Sequence, residues 1–108
     1  IGAAQLALMK PTATLINIAR GGLIDEDALA AALQAGRMAA AGLDVFEGEP
    51  QVNPALMACQ NVVLTPHVGS ATAPTRMAMA ELAAGNLIGF LENGKPLTPL
   101  NPEVLRGP

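Results

Sequence analysis

Ala13-Thr14-Leu15-Ile16-Asn17-Ile18-Ala19-Arg20-Gly21-Gly22-Leu23-Ile24-Asp25-Glu26-Asp27-Ala28 is the stretch on which the fold turns. Its first six residues are a short apolar run with β-branched members, which predicts a buried strand. Arg20-Gly21-Gly22 breaks that strand. Asp25-Glu26-Asp27 then places acidic side chains where a helix begins and its exposed N–H groups favour negative charge. Ala28 to Ala35 are strong helix formers, and Gly36 is a good C-terminal stop. A second buried strand is expected over Ala39 to Val45. The order so far is strand, helix, strand, which places two parallel strands beside one another with a helical crossover.

Working outward, Ala3 to Met9 is a short helical stretch ended by Lys10-Pro11. Phe46 to Asn61 contains two prolines and is expected to be a long irregular stretch. Val62-Val63-Leu64-Thr65 predicts a third strand, closed by Pro66. A long helix starts near Thr72 to Pro74, because proline is at home in a first helical turn. Its apolar positions Met79, Leu82, Ala83, Leu87, Phe90 and Leu91 keep helical spacing, and Asn93-Gly94 ends it. Lys95 to Pro108 carries four prolines and is expected to be an extended strap. The fold class is α/β: the second half of a doubly wound parallel sheet, followed by a helix and tail. Two regions are expected, residues 1–72 and residues 73–108.

Composition narrows the function classes. Of 108 residues, 51% are hydrophobic and 14% charged, with two Phe and no Trp or Tyr. So apolar a chain with so few large aromatics implies surfaces covered by other protein. A net charge of −3 with scattered Lys and Arg gives no phosphate-tracking patch, so no nucleic-acid partner is expected. Met77 to Leu91 is the most apolar stretch, but Glu81, Gly85 and Asn86 interrupt it, and no membrane span is expected. Ile1-Gly2-Ala3-Ala4-Gln5 has no basic n-region and does not look like a signal peptide. Cys59 has no second cysteine to pair with, which fits a buried structural thiol and a cytoplasmic location. The Gly85 and Gly89 spacing is expected to allow close packing on a helix.

In open α/β sheets the ligand crevice lies beyond the carboxyl ends of the strands. Arg20 follows the first strand, Asp44 and Glu49 the second, and His67 the third. Singly, each has a plain explanation as a solvated surface residue, a loop cap or a structural histidine. Together they suit acid–base chemistry on a carboxylate substrate. Arginine's planar fork binds a carboxylate or carbonyl and keeps its charge. Histidine titrates near working pH. A carboxylate bonded to an imidazole fixes the ring and favours its charged form. No metal-ligand set is expected.

Leu15-Ile16-Asn17-Ile18-Ala19-Arg20-Gly21-Gly22-Leu23-Ile24-Asp25-Glu26 resembles the arginine signature of the D-2-hydroxyacid dehydrogenase family. Ala41-Gly42-Leu43-Asp44-Val45-Phe46-Glu47-Gly48-Glu49-Pro50 resembles its glutamate signature. Asn61-Val62-Val63-Leu64-Thr65-Pro66-His67-Val68-Gly69-Ser70-Ala71-Thr72 resembles its histidine signature. The tail is most similar to the glyoxylate/hydroxypyruvate reductase and 2-ketogluconate reductase branch. The family's formate dehydrogenases, by contrast, carry glutamine where Glu49 stands. The resemblance implies a Rossmann-like NAD- or NADP-binding domain, with catalytic Arg20, Glu49 and His67. It implies cofactor contacts at Ala19, Arg20, Asp44, His67 and Gly69, Asp44 facing the nicotinamide carboxamide. It also implies a small 2-keto or 2-hydroxy acid substrate, a homodimeric full-length parent, and a helix from about Thr72 that crosses to a substrate domain on which the tail packs. No two glycines here have G-x-G spacing, so the pyrophosphate loop and the ribose selector are expected upstream of Ile1. Dinucleotide-sensing corepressors share this fold and these signatures, and are the alternative from another function class. The isolated chain is expected to be an inactive, stable fragment.

Overall fold

The computed structural model describes residues 1–106. The chain forms two compact units, Ile1–Gly69 and Ser70–Pro108.

The first unit is a three-stranded parallel sheet in the order β1 (Thr14–Asn17), β2 (Ala40–Leu43), β3 (Val62–Leu64). Parallel neighbours need crossovers, and two helices supply them. The first is α2 (Glu26–Gln34), between β1 and β2. The second is α3 (Pro54–Met57), between β2 and β3. A one-turn helix, α1 (Ala3–Leu6), packs against α2. The N-cap of α2 is Asp25, whose side chain accepts from the Ala28 amide at 2.9 Å. That bond satisfies one of the N–H groups a helix start leaves without a partner.

Side chains alternate across a strand, and the alternation decides where the core sits. Leu15, Ala41, Leu43, Val62 and Leu64 point to the helices and pack with Leu29, Ala30, Leu33 and Leu56. The opposite face is open: Ile16 is 61% exposed and Val63 67%. The strands predicted to be buried are therefore buried on one face only. Their second apolar face is laid bare because α1, α2 and α3 all serve the other one. Cys59 is buried, as expected, and donates to the Ala55 carbonyl.

Three local expectations change. Strands β1 and β2 are shorter at both ends than the apolar runs that announced them, and β3 is shorter at its carboxyl end. The irregular stretch after β2 contains α3, which Asn53 caps by accepting from the Ala55 amide at 2.9 Å with Pro54 in its first turn. The tail after Lys95 is not wholly extended, since Pro102–Arg106 forms a 3₁₀ turn.

The second unit is built on α4 (Ala73–Asn93), capped by Thr72 and ended by Gly94 in the left-handed conformation. The chain then doubles back along the helix. Thr98 donates its amide to Asn86 Oδ1 at 2.8 Å and accepts from Asn86 Nδ2 at 2.9 Å. The close packing expected of the small-residue spacing is occupied by this return. A Cβ at Gly89 would stand 2.7 Å from the Lys95 carbonyl oxygen. No α4 side chain is buried. Among the described residues no helix is long and apolar enough to cross a membrane.

Candidate active site

All three strands run the same way, so their carboxyl ends open on one side of the first unit. Beyond β1, the buried Asn17 shapes the turn that carries Arg20. Its Nδ2 donates to the Arg20 carbonyl at 2.9 Å, and its Oδ1 accepts from the Ala19 amide at 3.1 Å. Arg20 itself is exposed and donates to the Ala19 carbonyl. Sequence reasoning missed Asn17, because one polar residue inside an apolar run gives no signal of its own.

Beyond β2 stands Asp44, buried and accepting three hydrogen bonds. Its Oδ1 accepts from the Thr65 hydroxyl at 2.6 Å and the Val68 amide at 2.8 Å, and its Oδ2 accepts from the Gly69 amide at 2.8 Å. These bonds hold its carboxyl below the ordinary 3.8, the Thr65 hydroxyl contributing most. Asp44 therefore caps the loop after β3 from within the chain. In that loop His67 has a left-handed backbone, φ 53°, which is uncommon for a residue with a side chain.

The Glu49 side chain turns back on its own loop. Its Oε1 accepts from the Phe46 amide at 2.9 Å, and its Oε2 meets His67 Nδ1 at 2.7 Å. The bond to His67 is the largest cause holding the Glu49 carboxyl below its ordinary 4.5. The Phe46 amide and the charge of Arg20 act in the same direction. The structure thus joins Glu49 and His67 directly and sets Arg20 close enough for its charge to act on Glu49. A cleft of about 170 Å³, lined by Phe46, Glu49, Pro50, Val52, Pro66 and His67, opens beside the pair.

A larger cleft lies at the start of α2, and size alone would favour it. Its lining includes Asp25, Glu26, Asp27 and Glu47 but no cationic side chain. Four carboxyl groups repel an acid substrate, so the smaller cleft is the better seat for chemistry on one. Among the described residues no group of His, Cys, Asp and Glu side chains could hold a metal ion.

Comparison with known proteins identifies the family. Residues 1–69 match the D-isomer specific 2-hydroxyacid dehydrogenase, NAD binding domain. A glyoxylate reductase of Thermococcus gammatolerans is 54% identical over 106 residues, which are 98% of this chain and 32% of the relative. A glyoxylate/hydroxypyruvate reductase B of Pectobacterium atrosepticum is 52% identical over 98% of this chain and 33% of its own length. The crystal structure of an NADPH-dependent glyoxylate/hydroxypyruvate reductase from Sinorhizobium meliloti, in complex with NADP and malonate, superposes with a TM-score of 0.89 at 48% identity. That alignment covers 93% of this chain and 31% of the other. The chain spans about a third of the length of the relatives it matches. With three strand ends presenting Arg20, Glu49 and His67 on a parallel sheet, the chain belongs to the D-isomer-specific 2-hydroxyacid dehydrogenase family, as part of its NAD-binding domain.

Proposed function

We propose that the subunit carrying this chain reduces a small 2-keto acid of the glyoxylate or hydroxypyruvate type, with Arg20, Glu49 and His67 as its catalytic groups. The observation that carries the proposal is the 2.7 Å contact between Glu49 Oε2 and His67 Nδ1 at the open end of the sheet. A nicotinamide dinucleotide bound at that end would supply the hydride.

The residues present suit the nicotinamide end of such a cofactor. An ionised carboxylate has about four acceptor positions, and Asp44 uses three of them within the chain. One remains on Oδ2 for a carboxamide N–H. Gly69 stands beside it, and a Cβ there would lie 3.0 Å from Asp44 Oδ2. Ala19, Asp44 and Gly69 would border the cofactor.

The chain's own groups divide the remaining work. Glu49 is a carboxylate at neutral pH and holds His67 by Nδ1, which leaves Nε2 as the end that gives a proton to the keto oxygen. Arg20 is exposed at the neighbouring strand end, where its guanidinium can turn outward to hold the substrate carboxylate and polarise the carbonyl. A homodimeric parent remains part of the proposal, as does the crossing of the helix from Thr72 to a substrate domain. The unremarkable acidic charge favours a metabolic enzyme over a corepressor.

The test is steady-state reduction of glyoxylate and hydroxypyruvate with NADH and NADPH by the full-length subunit. Replacing His67 by Ala is expected to lower kcat by about 10²–10⁴-fold, the usual contribution of a general acid. A His67→Ala enzyme that keeps more than half of the wild-type rate would remove His67 from the acid's role.

A further inference from the structure

Glu26 is a buried acid that the reaction does not use. It is the first residue of α2 and only 7% exposed. Acidic residues in a first helical turn usually stay in water and act through the helix's charge distribution alone. The capping task at this helix is already taken by Asp25. A buried carboxyl group needs a hydrogen-bond partner to offset its lost hydration. Glu26 Oε1 has one: it accepts from the Glu47 amide at 2.6 Å, across twenty-one positions of sequence.

That amide belongs to the loop on which Glu49 is mounted. Adjacent N–H groups of the loop are each held by a carboxyl oxygen, Phe46 by Glu49 and Glu47 by Glu26. Gly21 presses on the same place, since a Cβ there would stand 2.1 Å from the carbonyl carbon and oxygen of Phe46. The turn after β1 and the first residue of α2 therefore both hold the loop from which Glu49 reaches His67.

We infer that Glu26 is a positioning residue: through the Glu47 amide it fixes the loop so that Glu49 meets His67 Nδ1. Its meaning for catalysis rests on the proposed function above, but the positioning is measurable without turnover. In the full-length subunit the imidazole ¹⁵N signals of His67, the one histidine of these 108 residues, are identified as those missing from the spectrum of His67→Ala. In the neutral ring, the contact with Glu49 favours the tautomer with the proton on Nδ1.

Two substitutions separate reach from charge. Glu26→Gln keeps an acceptor oxygen at the same distance and loses the charge. Glu26→Asp keeps the charge at the helix start and withdraws the oxygen by one methylene. Positioning predicts that Glu26→Gln retains the wild-type preference for Nδ1–H. It also predicts that in Glu26→Asp the ratio of Nδ1–H to Nε2–H falls about tenfold, as a charge-assisted hydrogen bond is lost. A role limited to the helix start gives the reverse order, with Asp like wild type and Gln altered, and that result overturns the inference. Unchanged ratios in both variants overturn it as well. If the tautomer follows Glu26 while His67→Ala leaves turnover intact in the full-length enzyme, positioning stands and the catalytic role of the pair falls.

Discussion

At Asp44 one carboxylate receives the Thr65 hydroxyl and the amides of Val68 and Gly69, and so sets the path of the loop that carries His67. Those donors hold its carboxyl below the ordinary 3.8 in the folded chain. A group lowered on folding contributes stability above its unfolded value and loses that contribution as pH falls through the folded one. Asp44→Asn puts a donor where an acceptor is needed. The variant is therefore expected to have a lower urea midpoint than wild type at neutral pH. The gap should narrow once the pH passes below about 3.8. Urea titrations from pH 7 down to the acid limb check this, and a gap of constant size would show that ionisation of Asp44 is irrelevant. Arg20, Glu49 and His67 were legible in the sequence because each is a reactive type just beyond an apolar run. Asn17 and Glu26 were not. Their work is on backbone amides and carbonyls brought near only by folding, and a lone Asn in a strand or a Glu at a helix start has an ordinary explanation.

Among the elements, those with a periodic pattern and a cap were legible to within a residue or two. Helix α2 begins where Asp25 accepts from the Ala28 amide, and α4 runs between Thr72 and Gly94. Helix α3, with four residues, is too short to show any period, so only Asn53-Pro54 could have announced it. The strands were found but not their asymmetry. An apolar run says that a strand can be covered on both faces, and the open face is set by the placement of the helices. Asp25→Ala removes the cap of α2 and is expected to lower the unfolding free energy of the chain by about 1 kcal/mol. Equilibrium urea unfolding followed by circular dichroism measures it. A loss below about 0.3 kcal/mol would mean that water replaces the cap at no cost. Glu26 next to it tests a different property, because its partner is a distant loop and not the helix.

For the whole molecule, the composition already implied more apolar surface than one short chain covers. The structure locates it in each unit. In the first, Ile16 and Val63 stand exposed on the sheet and Ile18 just beyond β1. In the second, Met77, Leu87, Phe90 and Leu91 stand exposed on α4. Large apolar patches and uncovered strand edges seek partners. The 108-residue chain on its own is therefore expected to self-associate in sedimentation experiments and to bind NADH and NADPH weakly by calorimetry. A stable monomer with micromolar affinity for either would contradict both expectations. The contact of Gly21 with the Phe46 backbone has a consequence for anyone recombining relatives. With no room for a methyl group between them, the arginine and glutamate segments form a single cassette. A chimera that imports either one from a distant homologue inherits a mismatched seam, whereas importing residues 15–50 together carries both halves of the fit.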